Sequence, residues 1–190
     1  MKFVIIVGAA TPPGRLNAAM SHVAQTLPVL KPGTMVDVIN LAEAQVDICD
    51  GRKLEEYGAP TQKAVATVVD ADAVLIASPV YRASYPGVLK NLLDQLPVEA
   101  LCNKPVGIVS MGGSPHHYLA VDSHLRLVLA WFGALAMPTA VYLTGKDFAD
   151  GKLASETAEK DLRALAEGLV ETATAFKGRN LGPTPLAARY

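Results

Sequence analysis

Three observations on the sequence predict an α/β domain with a doubly wound parallel sheet. Short β-branched runs alternate five times with segments of helical periodicity. Three of those runs are almost uniformly apolar, which is typical of strands covered by helices on both faces. With 190 residues, 51% of them hydrophobic and 18% charged, the chain can bury one core without disulfide or metal support. We therefore expect one domain over residues 1–177, followed by a tail at 178–190.

The five predicted strands are KFVIIVG (2–8), MVDVINL (35–41), AVLIAS (73–78), PVGIVSM (105–111) and PTAVYLT (138–144). Helices are expected after each strand, because apolar residues recur there every three or four positions. These stripes run from Leu16 to Leu27, Ala64 to Val69, Leu89 to Leu96, Leu119 to Trp131 and Leu162 to Phe176. The right-handed crossover rule leaves a flavodoxin-like five-stranded sheet, with order 2-1-3-4-5 and helices on both faces, as the leading topology.

The last helix and the tail have distinct sequence signals. Ser155 is a residue type that caps helix N-termini, and Glu156 follows in the first turn, where the helix dipole favours an acid. The tail GRNLGPTPLAARY has two prolines and no periodicity. We expect it either to be frayed or to lie as an arm on a partner subunit, since Leu181, Leu186 and Tyr190 are apolar.

Composition excludes several classes of partner. With 17 Lys and Arg against 18 Asp and Glu, the net charge of -1 gives no field for binding nucleic acid or an anionic membrane. No apolar stretch reaches the ~20 residues of a membrane helix, and we interpret the N-terminal run as a strand and not a signal peptide, so we expect a cytoplasmic protein. Cys49 and Cys102 lie far apart without a CxxC pattern, which predicts neither a disulfide framework nor a zinc site.

Ligands in such sheets bind beyond the carboxyl ends of the strands, where the strand order reverses. Three loops are expected to meet there: GAATPPGRLN after strand 1, SPVYRASYPG after strand 3 and MGGSPHH after strand 4. In the first loop, a helix N-terminus and Arg15 would form an anion site for a phosphate, with Thr11 beside it. The alternative is a proline-rich turn with a solvated Arg15, because the loop has neither a GxGxxG nor a Walker pattern.

The second and third loops suit a flat, partly polar ligand. The prolines of the second loop stiffen its backbone, so that the peptide groups of Val80 to Ser84 can be directed at the edge of a heterocycle. Tyr81 and Tyr85 would supply ring surface, or, in the alternative interpretation, pack at a subunit contact. In the third loop, Gly112 and Gly113 would let the backbone approach the ligand closely.

The phrases SPVYRASYPGVLKNLLDQLP and MGGSPHHYLAVDSHLRLVL resemble the NADPH-dependent FMN reductase family. They are most similar to the branch that supplies reduced flavin to two-component monooxygenases acting on alkanesulfonates or chelators. The resemblance covers residues 2–145 and implies a flavodoxin-like fold, FMN at the three loops, NADPH or NADH as hydride donor, and a homodimer or homotetramer. It also implies release of the reduced flavin to a partner monooxygenase.

The resemblance assigns roles residue by residue. The positions expected to bind FMN are Gly8, Thr11, Arg15, Asn17, Pro79, Val80, Tyr81, Arg82, Ser84, Gly112, Gly113, Ser114 and His117. No catalytic acid or base and no metal are expected, because hydride transfer needs stacking, exclusion of water and donors near developing negative charge. The backbone of Gly112 and Gly113 is expected to provide such donors.

The sequence departs from the family pattern in two places. Ala9, Leu16 and Ala18 stand where serines are common in the phosphate loop. Fewer donors would fit FMN that is exchanged as a substrate, or flavin binding that has been lost. Ser123, followed by His124, stands where some relatives insert an aromatic that contributes to the tetramer, so their oligomeric state does not transfer to this chain.

Two other functions remain open at this point. One is a quinone, azo or metal-ion reductase that retains its FMN and would purify yellow. The other is a non-enzymatic flavodoxin-type electron carrier, against which the net charge of -1 speaks, since such carriers tend to be strongly acidic. A hydrolase triad of Ser114, Asp122 and one of the adjacent His116 and His117 is not expected, because GGSPH lacks the last glycine of a nucleophile elbow.

Overall fold

The computed structural model describes residues 1–189, and Tyr190, counted above with the tail, lies outside the described residues. The strands are β1 (Lys2–Val7), β2 (Met35–Asn40), β3 (Ala73–Pro79), β4 (Pro105–Met111), β5 (Leu135–Ala136), β6 (Val141–Leu143), β7 (Phe148–Ala149) and β8 (Lys152–Leu153). The α-helices are α1 (Arg15–Leu30), α2 (Ala59–Val69), α3 (Gly87–Leu93), α4 (Ala120–Trp131) and α5 (Glu156–Phe176). Short 3-10 turns include Pro115–His117, Gly145–Asp147 and Leu186–Arg189.

The main sheet has the order β2-β1-β3-β4-β5, and β6 also pairs with β4. All of these pairs are parallel. The predicted flavodoxin-like order is therefore confirmed. The apolar strands β1, β3 and β4 are buried along almost their whole length, whereas the edge strand β2 is largely exposed.

The two faces of the sheet carry separate helix layers because successive strand residues point to opposite sides. On one face, Phe3, Ile5 and Val7 pack in a core with α1 and α5. On the other face, Val4 and Ile6 pack with α2, α3 and α4. Helices on both faces are thus confirmed.

The prediction of one continuous fifth strand over 138–144 was wrong. β5 pairs with the start of β4 and β6 pairs with its end, and residues 137–140 between them are irregular. Pro138 has no N–H to donate to a ladder. In addition, the Arg126 guanidinium on α4 donates to the Met137 carbonyl at 2.9 Å and to the Pro138 carbonyl at 3.1 Å, which stabilises the break.

The last helix begins and ends where the sequence predicts. The Ser155 hydroxyl accepts a hydrogen bond from the Ala158 N–H at 3.2 Å, and α5 runs to Phe176. The tail returns to its own chain, because the Leu181 N–H donates to Asn103 Oδ1 at 3.2 Å, just before β4. This contact lies at the amino edge of the sheet. No helix within residues 1–189 is long and apolar enough to cross a bilayer.

Candidate functional site

Four loops leave the carboxyl edge of the sheet: loop 1 (8–14), loop 2 (80–86), loop 3 (112–119) and loop 4 (144–147). Main-chain hydrogen bonds connect their first residues to neighbouring strands. The Gly8 N–H donates to the Ala77 carbonyl at 2.7 Å, and the Val80 N–H donates to the Met111 carbonyl at 2.8 Å. The Gly112 N–H donates to the Leu143 carbonyl at 3.0 Å. The three loops singled out in the sequence therefore start side by side.

Loop 1 ends at the N-terminus of α1. Gly14 is the N-cap and has no side chain to cap the helix, and its own N–H lies 3.5 Å from Asn17 Oδ1. Within residues 1–189, the N–H groups of Arg15, Leu16 and Asn17 have no acceptor. Free N–H groups at the first turn of a helix, reinforced by the helix dipole, attract anions.

Arg15 lies between loop 1 and loop 4. Its Nη1 atom would be 2.5 Å from a Cβ placed on Gly145, so the guanidinium packs directly on that glycine. Loop 4 is held in shape by Asp147, whose Oδ2 accepts from the Thr144 N–H at 2.7 Å and from its hydroxyl at 3.0 Å. No carboxylate in the described part of the chain forms an ion pair with Arg15. The charge of Arg15 thus remains available to an anion.

Sequence reasoning missed loop 4. Its only local signal is the stretch TGKD, in which Thr144 and Asp147 have the spacing of a capping box. That pattern predicts a turn but does not indicate which side chain packs against the glycine. The contact with Arg15 arises because β6 places loop 4 at the same sheet edge as the other loops.

Loop 2 contains a tight reversal of the chain. The Tyr81 N–H donates to the Ser84 carbonyl at 2.8 Å, and the Ser84 N–H donates to the Tyr81 carbonyl at 3.0 Å. The two residues between them have positive φ angles, 49° at Arg82 and 62° at Ala83, as in a type I′ turn. Non-glycine residues in this region cost roughly 1–2 kcal/mol each, and such strain is concentrated at ligand sites.

The turn determines which backbone groups of loop 2 remain free. The N–H groups of Val80, Tyr81 and Ser84 already have acceptors, whereas those of Arg82 and Ala83 have none within residues 1–189. Tyr81 is 41% exposed and Arg82 is exposed. Tyr85, by contrast, packs partly buried against the core beneath α2, α3 and α4, so it is a packing residue of its own chain.

A side-chain hydrogen bond attaches loop 2 to α4. The Ser84 Oγ atom lies 2.9 Å from Nδ1 of His124. In the sequence, His124 stands out only as the residue that follows Ser123, where the chain departs from the family pattern. The 40 residues that separate the two partners explain why no local pattern indicates this bond.

Loop 3 passes close to the side chain of Tyr142. A Cβ on Gly112 would lie 3.0 Å from Cζ of Tyr142, nearer still to its hydroxyl, and 3.4 Å from Cγ2 of Val80. The Tyr142 hydroxyl donates to the Ser114 carbonyl at 2.7 Å, and burial raises the pKa of that hydroxyl. Sequence reasoning missed Tyr142, which in the sequence is only one residue of an edge strand.

The amides of loop 3 differ in what they can bind. The Gly112 N–H is taken by Leu143, whereas the N–H groups of Gly113 and Ser114 have no acceptor within residues 1–189. His117 and Thr11 are exposed, on loop 3 and loop 1, and neither side chain forms a hydrogen bond in the described chain. Main-chain bonds thus fix Gly8, Val80 and Gly112 at the shared edge, whereas the side chains of Thr11 and His117 have no hydrogen-bond partner within residues 1–189.

Comparison with known proteins identifies the family of this chain. The family model described as NADPH-dependent FMN reductase matches residues 1–149. An FMN reductase (NADPH) of Pseudomonas aeruginosa is 33% identical over 185 residues, 94% of each chain. The NADH-dependent FMN reductase SfnF of Pseudomonas fluorescens is 39% identical over 113 residues, 60% of this chain and 60% of that protein.

A solved structure supports the fold separately. An oxidoreductase from Corynebacterium diphtheriae superposes with a TM-score of 0.74 at 22% identity, covering 92% of this chain and 98% of that one. The fold predicted from the alternation of strands and helices is therefore confirmed. The family predicted from the phrases that contain loops 2 and 3 is confirmed as well. The match over residues 1–149 and the alignment over 94% of a relative show that this chain belongs to the NADPH-dependent FMN reductase family.

Proposed function

We propose that this protein transfers hydride from NADPH or NADH to FMN and releases the reduced flavin to a partner monooxygenase. The observation that carries this proposal is the anion site at loop 1, where free N–H groups and the unpaired Arg15 meet at the edge that loops 2 and 3 share. A phosphate with an attached flat ring fits these groups better than a nucleic acid or a protein surface would, since the donors are few and convergent.

The residues present fit FMN at each part of the molecule. Arg15 and the first N–H groups of α1 would hold the phosphate. Tyr81 would offer ring surface, and the free N–H groups of Arg82 and Ala83 would meet the polar edge of the flavin. At the pyrimidine end of the flavin, the N–H groups of Gly113 and Ser114 would donate the hydrogen bonds, because the Gly112 N–H already donates to the Leu143 carbonyl.

The role of the protein in this reaction is positioning. Bound FMN supplies the ring that accepts hydride from the nicotinamide. Loops 2 and 3 fix the plane of that ring through backbone groups, and the tie between Tyr142 and Ser114 holds loop 3 in place. Alignment of two reactants in this way can supply several kcal/mol of a reaction barrier, roughly 7–11 in well-oriented intramolecular systems, without an acid or a base.

The phosphate site supports exchange of the flavin. The side chains of Leu16 and Ala9 are apolar and buried in the core, so neither supplies a hydroxyl donor where the family pattern commonly has serine. Apart from the exposed Thr11 and the half-buried Asn17, the phosphate would depend on backbone N–H groups and one guanidinium that is itself exposed. Exposed charge-assisted contacts are weaker than buried ones, and this is consistent with FMN as a substrate that leaves after reduction.

One purification tests this proposal. We expect a nearly colourless protein that oxidises NADPH or NADH only when FMN is added, and whose reduced FMN diffuses through a dialysis membrane and serves as the electron donor for a flavin-dependent monooxygenase on the other side. A yellow protein that reduces a quinone or azo dye without added FMN would instead identify the flavin-retaining alternative. A protein that binds FMN but oxidises neither nicotinamide would identify an electron carrier.

We also propose that the protein is a homodimer or homotetramer, with the outer face of α4 at the contact. Leu127 and Trp131 are 73% and 51% exposed and lie on one side of this helix, and Leu119, which is 49% exposed, immediately precedes its first residue. A groove of about 520 Å³ between α3 and α4 lies beside Leu127 and Trp131. Large apolar side chains clustered on one helix face favour association. A cytoplasmic location, where reduced nicotinamides are produced, fits the proposed reaction.

A further inference from the structure

The hydrogen bond between His124 and Ser84 has no part in the function argued so far. We propose that His124 is a positioning residue for the flavin ring, and that it acts through Ser84 by fixing the tight turn of loop 2. This inference rests on the proposed function, because the turn is assigned to the flavin. It concerns a residue of α4 that lies outside all three loops singled out in the sequence.

The two ends of the turn are attached to different parts of the fold. At its first end, the Val80 N–H is bonded to the Met111 carbonyl at the end of β4. At its second end, the Ser84 hydroxyl is bonded to His124 at 2.9 Å. Between these attachments, Arg82 and Ala83 adopt positive φ angles. A strained turn persists only where its surroundings hold it, and His124 supplies the side-chain contact at the second end.

The attachment would matter more for ligand geometry than for stability. His124 is exposed and Ser84 is half-buried, so the net stabilisation from this hydrogen bond is small. The groups that face the ligand, however, lie one to three residues from Ser84. A displacement of about 1 Å at a reacting group can cost up to roughly 100-fold in rate, so a loosened turn would affect flavin binding while the fold remains intact.

The bond also constrains the hydroxyl of Ser84. A serine hydroxyl carries one proton, so the direction of its hydrogen bond with an imidazole nitrogen determines its remaining capacity. If Ser84 donates to Nδ1, its oxygen can only accept from the ligand. If Nδ1 donates, the hydroxyl proton is free for a ligand acceptor. In either case His124 selects one role for Ser84, whereas without the imidazole both roles would be populated.

Three variants test the proposal. His124→Ala removes the bond, and His124→Asn keeps a hydrogen-bonding group close to the Nδ1 position. Ser123→Ala is the matched control, because the Ser123 hydroxyl donates to the Leu119 carbonyl within its own helix at 2.7 Å. We expect His124→Ala to raise the dissociation constant and KM for FMN about fivefold or more, the size of one net hydrogen bond, with the KM for the nicotinamide and the melting temperature nearly unchanged.

The other variants have defined expected affinities for FMN. His124→Asn should recover FMN affinity to within about twofold of wild type, and Ser123→Ala should behave as wild type. Because His124 acts through Ser84, adding His124→Ala to Ser84→Ala should cause no further loss. Equal affinity in His124→Ala and Ser123→Ala, failure of His124→Asn to recover it, or additive losses in the double variant would each overturn the inference. If wild type binds and reduces FMN and His124→Ala does so equally well, only this inference is wrong. If wild type neither binds nor reduces FMN, the proposed function is wrong as well.

Discussion

The side chain of Tyr142 fills the space that any side chain at position 112 would need. The Cζ atom of Tyr142 lies 3.0 Å from the place of a Cβ on residue 112, and its hydroxyl lies closer. The same hydroxyl donates to the Ser114 carbonyl. The contact follows from sheet register, because Met111 of β4 pairs with Leu143 of β6 and brings the neighbouring residues of each together.

Gly112→Ala is expected to displace Tyr142 and with it the backbone of loop 3. We expect FMN affinity to fall at least tenfold, because the free N–H groups of Gly113 and Ser114 would shift. Gly182→Ala in the tail is the control, since a Cβ there would also meet no atom within 4 Å and the residue lies outside all four loops. Adding Tyr142→Phe to Gly112→Ala should recover part of the affinity by removing the hydroxyl. Equal losses in the two alanine variants would contradict the steric argument.

Arg15→Ala tests the phosphate assignment through the choice of flavin. FMN carries a phosphate and riboflavin does not, so the variant should lose FMN affinity about 10- to 100-fold, the range for a charge-assisted hydrogen bond. Its riboflavin affinity should equal that of wild type. Quenching of flavin fluorescence on binding measures both. If the affinities for the two flavins fall together, Arg15 contacts the ring or supports the fold and does not bind the phosphate.

Arg126→Ala is expected to lower the stability of the fold and to leave FMN binding unchanged. Arg126 binds the largely buried Asp122 at 3.0 Å and also holds the carbonyls of Met137 and Pro138. Removing one partner of a buried pair costs about 3–5 kcal/mol. Since Arg126 is 30% exposed, we expect about 2 kcal/mol, or a melting temperature lower by about 4–8 °C.

The exposed pair of Arg163 and Glu167 on α5 offers the control for this measurement. It has the same i,i+4 spacing at 2.9 Å, but both side chains are about half exposed. Arg163→Ala should therefore change the stability by no more than about 0.5 kcal/mol. Calorimetry measures the decrease in melting temperature of each variant relative to wild type. Equal decreases in the two arginine variants would show that the contacts of Arg126 at the strand break contribute no more to stability than an exposed ion pair.

Asp47→Asn should lower stability in a way that depends on pH. The pKa of Asp47 lies below its ordinary value, first because its carboxylate accepts from the Gly58 N–H and second because it accepts from the Thr61 hydroxyl. The folded state therefore favours the charged form. The resulting stabilisation is complete above pH ~4, where the unfolded carboxyl is ionised, and is lost as pH falls below that range.

Melting temperatures across the acid range check this expectation. Wild type should melt above Asp47→Asn at pH 7, and the difference should shrink as the pH falls from about 4 to about 2. Asp161→Asn, on the exposed surface of α5, provides the background. A difference that stays constant over this range would mean that packing, and not the charge of Asp47, stabilises the loop after β2.

The oligomer proposal is tested on the outer face of α4. Leu127→Lys and Trp131→Lys place charge on the proposed contact and should convert a dimer or tetramer into monomers, because a buried unpaired lysine is costly. Val29→Lys is the control, since Val29 on α1 is also 73% exposed. Light scattering after size-exclusion chromatography measures the mass. A monomeric wild type, or dissociation by Val29→Lys alone, would contradict this contact.

Local patterns in the sequence determined the first four strands, the five helices and their order. The apolar runs of β1, β3 and β4 reveal burial on both faces, and Ser155 marks the start of α5, because burial and capping depend on neighbouring residues. The glycines and prolines of loops 1, 2 and 3 likewise indicated where a ligand would bind. Chain connectivity then leaves few topologies for such a set of elements.

Tertiary structure alone decided which distant side chains meet. Arg126 breaks the fifth strand from α4, Arg15 packs on Gly145 across the sheet edge, and Ser84 meets His124. Each contact joins residues that different crossovers bring together, and its geometry depends on strand register and helix rotation. Periodicity records which side of an element is buried, but it does not record which residue of another element lies opposite.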